Sequence, residues 1–109
     1  VHSIILKNGE VALAEQTNSR LHATVSGRVQ GVSFRFFVLE QASQLDLTGW
    51  VRNRWDGSVE LTAEGNRQRL EALLSALRQG PPMASVEDVD FEWQVYTGEF
   101  IRFDVTQTV

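Results

Sequence analysis

The apolar residues of this chain switch between two periods, and the order of the switches leaves few folds open. Leu21, Ala23 and Val25 alternate with His22, Thr24 and Ser26, the period of a strand with one buried face. Phe34, Phe37, Val38, Ala42 and Leu45 then recur at helical spacing, with Ser33 placed to cap the start. Leu47, Gly49 and Val51 alternate with Thr48, Trp50 and Arg52, and after a reversal at Asp56-Gly57 so do Val59, Leu61 and Ala63 with Glu60, Thr62 and Glu64. That pattern predicts a hairpin. Asn66 caps a second helix with an apolar stripe of Leu70, Leu73, Leu74 and Leu77, which Gly80, Pro81 and Pro82 stop. Val89, Phe91, Trp93 and Val95 alternate with polar residues, and a turn at Thr97-Gly98 leads to a short last strand with Ile101, Phe103 and Val105.

Strand, helix, strand, strand, helix, strand is the split βαβ plan. The predicted class is α+β: a ferredoxin-like βαββαβ sandwich, an antiparallel-containing sheet with two helices packed on one face. In that plan the first two strands run parallel, joined by a right-handed crossover, with the third strand between them. Their carboxyl ends share one sheet edge, which brings Asn53 close to the loop after the first strand.

That loop is GRVQGVSFR, residues 27 to 35. Its glycines follow a strand, and Arg35 falls in the first turn of the next helix. Backbone N–H groups freed by a tight turn and by a helix start favour an anion, and a guanidinium adds a charge-assisted fork. No Gly-Lys-Ser/Thr follows and the third glycine of the dinucleotide fingerprint is missing, so neither nucleotide motif applies.

A length of 109 residues allows one modest core. Residues 1 to 20 read as an extension, disordered or a hairpin turning at Asn8-Gly9, and residues 21 to 109 as the domain. A net charge of −4 argues against a surface that holds a nucleic-acid backbone. No apolar run reaches the roughly 20 residues of a membrane span. The absence of cysteine fits a reducing, cytoplasmic compartment and removes thiolate chemistry. His2 and His22 are far apart, so neither a metal nor another cofactor is expected.

GRVQGVSFR, together with GWVRN at 49 to 53, DGSVE at 56 to 60 and Gly98-Glu99-Phe100, resembles the acylphosphatases, small enzymes that hydrolyse the carboxyl-phosphate bond. The resemblance runs from about Leu21 to about Val105. It implies a phosphate-binding loop whose backbone amides belong to Val29, Gln30, Gly31, Val32, Ser33 and Phe34. It also implies a catalytic arginine at Arg35 and a water-positioning asparagine at Asn53. Asp46 stands where many members have glycine, and because aspartate enters the left-handed region less readily, it predicts an altered helix end.

An acyl phosphate has a good leaving group, so the work is to hold the phosphoryl group and place water in line. No side-chain general base is evident, which leaves the substrate's own phosphate to take the water's proton. The expected partner is a small acyl phosphate, or phosphate or another oxyanion, bound by a monomer. An RNA-recognition module shares the layout, but the first and third strands carry no exposed aromatic pair and the basic-aromatic motif is missing. A catalytically silent anion-binding domain of a larger protein is a further alternative. Outside the motifs, Arg52 and Arg54 read as solvated edge residues, His22 as incidental, and the tryptophans and phenylalanines as packing.

Overall fold

A computed structural model describes residues 17–109. The expected hairpin at Asn8-Gly9 lies outside the described residues. The elements are β1 (Asn18–Arg28), α1 (Phe34–Gln44), β2 (Thr48–Asn53), β3 (Val59–Asn66), α2 (Arg67–Gln79), β4 (Ser85–Gln94) and β5 (Phe103–Val105). The first strand thus begins before residue 21: Asn18, Ser19 and Arg20 pair with Asn66, Gly65 and Glu64 of β3, although their polar sequence reads as loop.

The sheet order is β4-β1-β3-β2-β5. β3 is antiparallel to both β1 and β2, so β1 and β2 are parallel with β3 inserted, as the split βαβ plan requires. β5 adds a parallel edge to β2 and is shorter than the alternation implies, because Ile101 lies outside it and is fully exposed.

The helices bury the predicted stripes. Phe34, Val38 and Ala42 of α1 and Leu70, Leu73, Leu74 and Leu77 of α2 join Leu21, Ala23, Val25, Val51, Val59, Leu61 and Ala63 in one core. Asn66 caps α2, its side-chain oxygen accepting from the N–H groups of Gln68 and Arg69. The end of α1 is not disrupted by Asp46. That residue takes the left-handed conformation, φ 57°, with Leu47 N–H donating to Ala42 O and Asp46 N–H to Ser43 O. This is a complete Schellman end, formed without glycine.

β3 is buried on both faces, contrary to its alternating sequence. Glu60, Thr62 and Glu64 point away from the helices, yet the long side chains of neighbouring strands and residues 97–99 cover them. Glu64 Oε2 accepts from Arg20 Nε at 2.8 Å and from Thr97 N at 2.8 Å, and Oε1 accepts from Gly98 N at 3.0 Å. A buried carboxylate is tolerable only when so paired.

Candidate active site

The cradle begins where β1 is forced to stop. Gly27 belongs to the strand rather than to the loop, at a register shift where β4 comes so close that a Cβ would lie 2.3 Å from Ser85 O. Beyond Arg28 the chain turns through Gly31 (φ 74°) and Ser33 (φ 65°) into α1. Ser33 does not cap by its side chain, since its left-handed backbone leaves its hydroxyl without a cap hydrogen bond. Its carbonyl instead accepts from Phe37 N–H at 3.0 Å. The first amides of α1 therefore have no intrahelical acceptor, and they open toward the loop. A non-glycine residue held left-handed costs on the order of 1–3 kcal/mol, and such strain concentrates at functional sites.

A cavity of about 430 Å³ sits at this edge, lined by Val29, Gln30, Gly31, Ser33, Phe34, Arg35, Phe36, Asn53 and Val105. The crossover thus brings Arg35 and Asn53, 18 positions apart, to one cavity. Val29 and Phe34 have buried side chains, so what they present there is main chain. The Val32 side chain is likewise buried, in the core.

Two groups at this cavity lack partners among the described residues. Among the described residues Arg35, like Arg28 and Arg78, makes no ion pair, whereas Arg20, Arg52, Arg54, Arg67, Arg69 and Arg102 each meet a carboxylate. The Asn53 Oδ1 is buried and accepts no hydrogen bond. Leaving such an acceptor unpaired costs about 1–3 kcal/mol.

The surroundings hold Asn53 from both sides. Gln30 Nε2 donates to Arg54 O at 2.7 Å and Ser58 O at 2.8 Å, tying the cradle to the β2–β3 turn. On the outer edge Val109 N–H donates to Asn53 O, and Trp55 N–H to Val109 O. Arg52 and Arg54 are not free surface charges. Both bind Glu60 Oε1, whose other oxygen meets His22 Nε2 at 2.7 Å. Burial pushes the Glu60 carboxyl up, but the hydrogen bonds from His22, Arg52 and Arg54 prevail and hold it below the ordinary glutamate range. Trp55 is 83% exposed, so it does not belong to the packing expected of it. Sequence reasoning missed the Gln30 side chain, Phe36 and Val105. The signal for Gln30 was an amide beside the cradle glycine with no apolar role.

Among the described residues no group of three or more His, Asp or Glu side chains is placed to hold a metal, and no helix is long and apolar enough to cross a membrane.

Fold and cavity together define a ferredoxin-like α/β sandwich with a glycine-containing loop and a cavity at the carboxyl ends of its parallel strands. The acylphosphatase family model matches residues 21–105. An acylphosphatase of Pelotomaculum thermopropionicum is 51% identical over 89 residues, 82% of this chain and 97% of that protein. Among solved structures, an acylphosphatase from Coxiella burnetii is 43% identical with a TM-score of 0.77, covering 82% of this chain and 93% of its own. The Bacillus subtilis acylphosphatase is 38% identical with a TM-score of 0.78, covering 81% and 98%. The chain belongs to the acylphosphatase family and is an enzyme of that family.

Proposed function

We propose that this chain hydrolyses the carboxyl-phosphate bond of acyl phosphates, with Arg35 and the loop amides binding the phosphoryl group and Asn53 positioning the attacking water. The reading is carried by one observation: an unpaired guanidinium and a buried, unpaired carboxamide oxygen at the same cavity. A phosphoryl group would supply the anion that Arg35 lacks, and a water would supply the donor that Asn53 Oδ1 lacks.

The chemistry balances with these groups alone. Water oxygen bonds to phosphorus as the bond from phosphorus to the acyl oxygen breaks, and the electron pair leaves with the carboxylate. The water's proton passes to a phosphoryl oxygen, giving inorganic phosphate. Carboxylates are weak bases, with conjugate acids near pKa 4, so no general acid is needed. Charge on the equatorial oxygens falls to Arg35 and the N–H groups of the loop from Val29 to Phe34. Every group comes from one chain, so the scheme works as a monomer and without a metal ion.

Phosphate release from acetyl and benzoyl phosphate in EDTA tests it. Arg35→Lys should impair both binding and turnover, because an ammonium cannot reproduce the fork. Asn53→Ala should lower kcat on the order of a hundredfold while KM changes little. An unchanged kcat would remove Asn53 from the mechanism.

A further inference from the structure

The cavity has apolar walls that phosphate binding does not use. Phe36 is 63% exposed and Val105 44%, and both line it. Phe34 and Phe37, on either side of Phe36 in sequence, pack edge to face at 5.8 Å and belong to the core or against it. Helical geometry turns Phe36 about 200° from Phe34, away from that core. A lone exposed apolar residue means little, but this one stands beside a cradle in a cavity of the size used for small molecules, about 300–1,000 Å³. Phosphate alone does not require such a wall.

The stereochemistry of displacement selects between the two apolar walls. Attacking water and leaving oxygen lie on opposite sides of phosphorus. Asn53 is on β2, and Val105 lies beside Val51 along the outer edge of β2, hence on the water's side. The acyl group departs away from β2, and Phe36 is the apolar side chain contributed by a different element.

Resting on the roles given above to Arg35 and Asn53, we infer that Phe36 is the specificity-determining contact for the acyl group, its ring being what distinguishes an aromatic acyl portion from a small aliphatic one. A planar aroyl group meets the Phe36 ring offset or edge-on, a contact that translates into about a three- to tenfold preference.

The test compares kcat/KM for benzoyl and acetyl phosphate in wild type, Phe36→Ala and Phe36→Trp, with competitive inhibition by inorganic phosphate measured in each. Wild type and Phe36→Trp should favour benzoyl phosphate, and Phe36→Ala should reduce the benzoyl-to-acetyl ratio about three- to tenfold. Inhibition by phosphate reports the cradle separately. Equal losses on both substrates, or an unchanged ratio in Phe36→Ala, would overturn the inference. A wild type that binds phosphate but hydrolyses neither substrate would instead overturn the hydrolytic reading, and the acyl subsite with it.

Discussion

Gln30 donates a side-chain hydrogen bond to the carbonyl of Arg54 at 2.7 Å, one residue past Asn53. Its second amide hydrogen reaches Ser58 O across the same turn, so one carboxamide sets the spacing between the oxyanion loop and the strand end that carries Asn53. On the proposed mechanism the loop amides and Asn53 must agree to within a fraction of an ångström, since a 1 Å error can cost about a hundredfold in rate.

Replacing Gln30 should therefore harm turnover more than stability. Both carbonyls keep a second donor, Gly57 N–H at Arg54 O and Arg54 N–H at Ser58 O, so Gln30→Ala should cost only about 1–2 kcal/mol in denaturant unfolding. Its kcat for an acyl phosphate should fall about ten- to a hundredfold. Gln30→Glu should be worse on both counts, because it aims a carboxylate at two carbonyl oxygens. A variant with normal kcat and reduced stability would make Gln30 a structural brace only.

Ser33 invites the opposite substitution. Its φ of 65° is one that glycine adopts freely, and its side chain makes no cap bond. Relief of about 1–3 kcal/mol of backbone strain, set against about 0.5–1 kcal/mol for the greater freedom of unfolded glycine, predicts that Ser33→Gly stabilises by on the order of 1 kcal/mol. On the proposed reading, in which the loop binds through its main chain, activity should persist. Denaturant midpoints check the first statement and steady-state kinetics the second.

Glu64 sets part of the acid limit of the fold. Burial pushes its carboxyl up, but the N–H groups of Thr97 and Gly98 and the Arg20 guanidinium outweigh it and hold the group below the ordinary glutamate value. A carboxyl depressed in the folded state contributes stability that is complete above the unfolded value, about 4.3, and is lost as pH falls through the folded one. Glu64→Gln should lower stability near neutral pH by about 2–4 kcal/mol. It should also flatten the decline below about pH 4.3. Unfolding free energies measured from pH 7 to pH 3 would reveal both effects; parallel profiles for variant and wild type would refute the assignment.

The parts of the molecule written in local pattern were legible in the sequence. Helix stripes, the Asn66 cap, the Gly80 stop and the parallel arrangement of β1 and β2 follow from periodicity and chain order, and the last of these placed Asn53 at the cradle's edge. What failed was set by groups distant in sequence. Glu60 and Glu64 alternate as though exposed, and only the arrival of Arg20, His22, Arg52 and residues 97–98 covers them. Gly27 reads as a loop glycine until β4, almost sixty residues later, is seen to press on it. Asp46 reads as a poor helix end, yet two backbone hydrogen bonds and Leu47 in the core hold it left-handed. Phe36 has the sequence of a packing residue because it stands among Phe34 and Phe37, which do pack, and residue type alone does not tell the helix's outward face from its inward one.

Asn53→Asp separates positioning of water from proximity to phosphate. Aspartate has nearly the same shape and keeps an oxygen where Asn53 Oδ1 lies buried, so a water could still donate to it. It also sets a negative charge at the cavity that would hold the dianionic phosphoryl group. Repulsion between unit charges about 4 Å apart ranges from about 1 kcal/mol in water to about 4 kcal/mol near a protein surface, which corresponds to binding weaker by about fivefold to several hundredfold. Inhibition by inorganic phosphate should therefore weaken at least about fivefold in Asn53→Asp, while Asn53→Ala should retain it within about twofold. Raising the salt concentration should narrow the gap only slightly, because a partly enclosed site is poorly screened. If Asn53→Asp bound phosphate as tightly as wild type, the carboxamide would be too far from the phosphoryl group to aim a water at phosphorus.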